Sequence, residues 1–81
     1  MLIKVTQEDI DLGVKYNGTK CAVGRAVRRQ FDPNCSVVVY SVYNKKSDAI
    51  ASLPASASDF IKDFDDCRHV KPFEFELDVK S

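Results

Sequence analysis

Apolar and polar positions alternate at the start of this 81-residue chain, then repeat at three and four residues, then alternate again. Each change of period marks a new element, because a strand repeats every two residues and a helix every 3.6. Ile3 and Val5 share one face of a strand over residues 2–6. Thr6 with Asp9 three residues on has the spacing of a capping box, and Glu8 and Asp9 suit the positive end of a helix, so a short helix follows directly. Ile10 and Val14 lie four apart on it, Gly13 weakens its end, and Asn17-Gly18 reads as a turn. Val23, Ala26, Val27 and Phe31 repeat at three and four, which predicts a second helix from about Lys20 to Phe31, stopped by Asp32-Pro33-Asn34.

Ser36 to Tyr43 is a β-branched and aromatic run, predicting one strand that is apolar on both faces and therefore central in its sheet. A polar turn over Asn44-Lys45-Lys46-Ser47 leads to a short alanine-rich strand from Asp48 to Leu53, ended by Pro54. The run Ala55-Ser56-Ala57-Ser58 offers a serine N-cap to a third helix from Asp59 to Asp66, with Phe60, Ile61 and Phe64 as its apolar stripe. Phe73 to Lys80 is strictly two-periodic, apolar on one face and charged on the other. The pattern predicts an α+β fold: a small single-layer sheet of three to four strands, in an order that suits a split βαβ arrangement, with two to three short helices packed on one face. No linker or repeat divides the chain, so residues 1–81 read as a single domain.

Twelve basic and twelve acidic side chains cancel, which removes any global field toward nucleic acid or an anionic membrane. Their distribution is uneven: six basic and three acidic groups in residues 1–31, six basic and nine acidic in residues 32–81. No run approaches the roughly 18 apolar residues that span a bilayer. The three cysteines, an odd number at irregular spacing, suit a reducing compartment better than a disulfide scaffold, so the expectation is a cytoplasmic protein without a membrane anchor. A domain this small buries a modest core, so a homo-oligomer that closes its sheet edges is compatible with the sequence.

Candidate chemistry is sparse. Cys21, Cys35, Cys67 and His69 lack the closely paired spacing of a zinc site, and Cys67 with His69 has no third group to orient a nucleophile and its base. With only Gly13, Gly18 and Gly24, the chain also has no phosphate loop or nucleophile elbow. The expectation is no metal, no cofactor and no catalysis. Arg25, Arg28 and Arg29 fall on one side of the second helix and suit phosphate contacts, which makes a nucleic-acid-binding protein the competing reading. Tyr40 and Tyr43 have opposite parity in a strand and do not form one stacking platform. Asp59, Asp63 and Asp66 recur at helical spacing on the third helix, and Glu74, Glu76 and Asp78 project from one face of the last strand. Together they form either a solvated outer face or a negative surface for a basic protein partner.

The stretch Val5-Thr6-Gln7-Glu8-Asp9-Ile10-Asp11-Leu12-Gly13-Val14, with Cys21-Ala22-Val23 and Ala26-Val27-Arg28-Arg29, resembles small proteins of bacteriophages and prophages. The resemblance covers roughly the first 30 residues and, more loosely, the stretches around Phe60 and Phe73; related sequences often have proline where Ala22 stands. It implies a phage-type module that binds and blocks a host protein complex, such as a CRISPR-Cas defence complex, by covering a surface, as anti-CRISPR proteins do. It assigns no binding residue by position.

Overall fold

In a computed structural model of the chain, which describes residues 1–38, 40–46 and 48–79, the α+β class holds. Three helices and six short strands occur among the described residues. The strands divide between two antiparallel sheets where the pattern predicted one, a pair formed by β1 (Leu2–Val5) and β5 (Phe73–Glu76) and a sheet in the order β2 (Ser36–Val37), β3 (Ser41–Tyr43), β4 (Ala49–Ser52), β6 (Asp78–Val79). The last segment of chain serves both. β5 pairs with β1, and after Leu77 the chain continues as β6 against β4. Leu77 itself donates its N–H to the Met1 carbonyl at 2.7 Å, which extends the first ladder up to the joint.

The eight-residue strand expected over Ser36–Tyr43 is a hairpin, and Val39 lies outside the described residues. Val38 donates to the Ser41 carbonyl at 2.9 Å to close the turn. The reason is one of parity. Val37 and Val42 would face opposite sides of a straight strand, whereas folding back makes them register partners, and both are buried. Val38 and Tyr40 are left exposed at the turn. β3 lies between β2 and β4, so part of the run is central as expected. Of the other expectations, Ser47 in the polar turn and Lys80 in the last strand also lie outside the described residues.

The first helix, α1 (Gln7–Leu12), has the capping box read from Thr6 and Asp9. Asp9 N–H donates to Thr6 Oγ1 at 3.2 Å and Thr6 N–H to Asp9 Oδ2 at 3.0 Å. α2 (Ala22–Gln30) buries Ala22, Val23, Ala26 and Val27 and packs against α1, β1, β2 and α3 (Ala55–Asp65). Its N-cap is a sulfur, Cys21 Sγ, which accepts from Gly24 N–H at 3.2 Å. α3 begins a turn earlier than its serines suggested. Pro54 is the N-cap without a side-chain bond, and the early start buries Ala57 in line with Phe60, Ile61 and Phe64. Ser58 is buried within the helix instead of capping it.

Gly24 shows how closely α2 sits on the loop before it. A Cβ there would lie 2.7 Å from the Gly18 carbonyl oxygen and 3.2 Å from both Cys21 Sγ and the Thr19 carbonyl carbon. Gly24→Ala should therefore destabilise the protein by about 1–3 kcal/mol through overpacking against backbone. Alanine's helix propensity, about 1 kcal/mol better than glycine's, works in the other direction. A melt in which the variant equals or exceeds the parent would show that the loop yields freely.

Candidate binding surface

The three arginines of α2 are committed inside the molecule. Arg29 grips Asp9 with both terminal nitrogens, Nη2 to Oδ2 at 2.9 Å, and also reaches the Lys4 carbonyl at 3.3 Å. Arg25 Nε stands 3.5 Å from Asp9 Oδ1. Arg28 donates through Nε and Nη2 to the Pro33 carbonyl, at 2.9 and 2.6 Å, and so fastens the turn that follows its helix. Asp9, the focus of the first two, has no solvent exposure. Its burial raises the carboxyl's pKa, but the Arg29 hydrogen bonds, the Thr6 amide and the guanidinium charge outweigh that, and the net displacement is downward. Gln30 completes the inner role of α2, donating to and accepting from the backbone of Lys4 at 2.7 and 2.9 Å along the open side of β1. Substituting Arg25 or Arg29 consequently perturbs the fold before it reports on any partner.

The acidic residues are placed differently. Asp59 on α3, Asp66 at its C-cap and Glu74 on β5 are exposed, and none has a side-chain partner among the described residues. Asp63 pairs loosely with Arg68 at 3.6 Å, and Glu76 accepts from the Met1 nitrogen at 2.7 Å. Asp78 is exposed on β6. Between α3 and the segment leading into β5 runs a groove of about 380 Å³, floored by Phe60, Val70, Pro72 and Phe73 and flanked by Asp59 and Asp63, with His69 and Lys71 at its other lip. A second groove of about 430 Å³ shares Pro72 and Phe73 and continues past Glu74 toward Lys4 and Gln7. Phe60 and Phe73 stack at 4.6 Å between ring centroids, which gives the floor a rigid aromatic base. Acids from two distant stretches of sequence thus flank one apolar strip. The sequence pattern supplied the acids and placed Phe60 and Phe73 on apolar faces; Phe60 is buried in the core and Phe73 half-buried at its edge, and periodicity does not show that the edge between them opens into a groove.

The cysteines and His69 do not gather. Cys21 and Cys35 are buried, and burial first, with Asp65 and Asp32 respectively adding to it, pushes both thiols up. Cys67 is exposed and touches Lys15. No group of three or more His, Cys, Asp or Glu side chains able to hold a metal ion occurs among the described residues, nor does any helix there have the length and apolarity to cross a membrane. No family model matches the chain, and no curated protein or solved structure is significantly similar to it.

Proposed function

We propose that this protein is a non-enzymatic binding module that covers part of a protein partner with the acid-flanked groove along α3. The observation that carries the reading is the contrast in how its charges are used. Arg29 and Arg28 of α2 are hydrogen-bonded to Asp9 and to the Pro33 carbonyl, and Arg25 faces Asp9 at 3.5 Å, whereas Asp59 and Glu74 stand free among the described residues, each bordering one of the two adjoining apolar grooves. An apolar strip with a charged rim is the usual composition of a specific protein interface, and its three acids, Asp59, Asp63 and Glu74, set against Lys4 and Lys71, favour a partner segment that carries Lys or Arg. The same contrast weakens the nucleic-acid reading, since phosphate contacts need guanidinium groups that are not already engaged. The likeness of the opening segment to phage proteins makes a host complex, for instance a CRISPR-Cas complex, the first partner to test.

The test is a pull-down from bacterial lysate treated with nuclease, repeated with Asp59→Lys combined with Glu74→Lys. Both positions are exposed, so circular dichroism should be unchanged. A stoichiometric protein that survives nuclease and is lost with the double variant is the expected result. Retention of that protein by the double variant moves the interface elsewhere. Recovery of nucleic acid alone, lost in high salt, replaces the reading with the competing one.

A further inference from the structure

We propose that Lys15 and Cys67 form a covalent sulfur–nitrogen bridge under peroxide, fastening the loop between α1 and α2 to the C-terminal end of α3. Lys15 Nζ lies 2.6 Å from Cys67 Sγ. The amine and the sulfur are therefore in direct contact, with no group between them.

The backbone on both sides is shaped to bring these two groups together. α3 ends in a Schellman motif, with Cys67 N–H donating to the Phe64 carbonyl at 3.3 Å and Arg68 N–H to the Asp63 carbonyl at 2.9 Å. Cys67 fills the left-handed position at φ 63°, where glycine is the usual occupant. Tyr16, next to Lys15, is also left-handed at φ 58°, and its N–H is held by Asp65 Oδ1 at 2.9 Å. These are the positive-φ residues of the described chain, and they meet at this one joint. Glycine at position 67 would relieve one of them but carry no thiol. Cys67 is exposed and borders a groove with Lys15, Gln7 and His69, so a small oxidant has access.

The chemistry balances in two steps. Hydrogen peroxide oxidises the thiol by two electrons, Cys-SH + H₂O₂ giving Cys-SOH + H₂O. The lysine ammonium first gives a proton to water, and the free amine then attacks the sulfur and displaces the hydroxyl, which leaves as water: Lys-NH₂ + HO-S-Cys gives Lys-NH-S-Cys + H₂O. This is the condensation by which a sulfenic acid forms a sulfenamide with a backbone nitrogen, carried out here by a side-chain amine. A thiol reductant reverses it.

The experiment exposes the reduced full chain to hydrogen peroxide and maps the proteolytic peptides by mass. A peptide containing Lys15 joined to one containing Cys67, lighter than their sum by two hydrogens and separated again by dithiothreitol, is the expected product. Lys15→Arg keeps the positive charge but withdraws the amine, so the joined peptide should vanish and Cys67 should become trappable by dimedone as the sulfenic acid. The proposal is overturned if the parent chain traps dimedone as readily as Lys15→Arg. It is equally overturned if Cys67 passes to the sulfinic acid or to an interchain disulfide with Lys15 free, or if Cys67 does not react at all. Matching circular dichroism of the two proteins separates any of these results from misfolding.

Discussion

Asp9→Asn is expected to cost about 2–3 kcal/mol, the upper part of the range for hydrogen bonds to charged groups, because the carboxylate is fully buried while the guanidinium groups left behind are 31% and 46% exposed. Small domains have about 5–15 kcal/mol in total, and for a chain this size each kcal/mol moves the melting temperature by about 4–8 °C. The variant should therefore melt roughly 10–20 °C lower. Asparagine has nearly the same shape, so the loss is electrostatic. The carboxylate receives Arg29 on both oxygens and the Thr6 amide on one, and Arg25 Nε, buried beside it at 3.5 Å, has no hydrogen bond of its own among the described residues. Asparagine withdraws the negative charge from both guanidinium groups and puts an amide donor where one carboxylate oxygen accepted. Arg29→Gln should cost at least as much, because it leaves the Asp9 carboxylate, which has no solvent exposure, with Arg25 Nε at 3.5 Å as its remaining cation.

The same site gives a signed pH dependence. The Asp9 carboxyl is displaced downward in the folded protein, so the stability it contributes is fully present above its unfolded value of about 3.9 and is lost as pH falls through the lower folded value. Urea midpoints at pH 7 and pH 3 should fall steeply for the parent and less for Asp9→Asn, whose remaining acid sensitivity comes from the other carboxylates. Equal slopes would mean that Asp9 is not the group being titrated.

What the sequence made legible was local. The Thr6–Asp9 capping box spans three residues, and the alternation of Phe73 to Glu76 is visible in any window, so both were readable. The Arg29–Asp9 pair spans 20 residues and the Lys15–Cys67 contact 52, and no pattern along the chain encodes either. The hairpin within Ser36–Tyr43 was hidden because that stretch contains no glycine, proline or asparagine; Val38 and Tyr40 occupy places that turn chemistry gives to other residues. Tertiary packing of Val37 against Val42 decides that fold-back, and propensity argues for a straight strand. Charges were legible as a list but not as a division of labour. Asp9 and Asp11 look alike in sequence, yet one is the buried centre of the α1–α2 contact and the other is exposed on the surface.

Leu77→Ala carries the second large expectation, a loss of about 2–5 kcal/mol. Leu77 is 1% exposed at the joint where the chain leaves β5 and enters β6. Its backbone binds Met1 in both directions, donating at 2.7 Å and accepting at 3.0 Å, while its side chain belongs to the one core on which both sheets depend. A cavity there faces β1 through one neighbour and β4 through the other, so the two sheets should loosen together. Amide hydrogen exchange checks this directly: protection at Ile3 and at Ala51 should fall by similar factors in the variant. Val79→Ala, on the same segment but 42% exposed, should stay within about 0.5 kcal/mol of the parent. Loss of protection at Ile3 with Ala51 unchanged would mean that the shared strand does not couple the two sheets, and that the larger one is held by α2 alone.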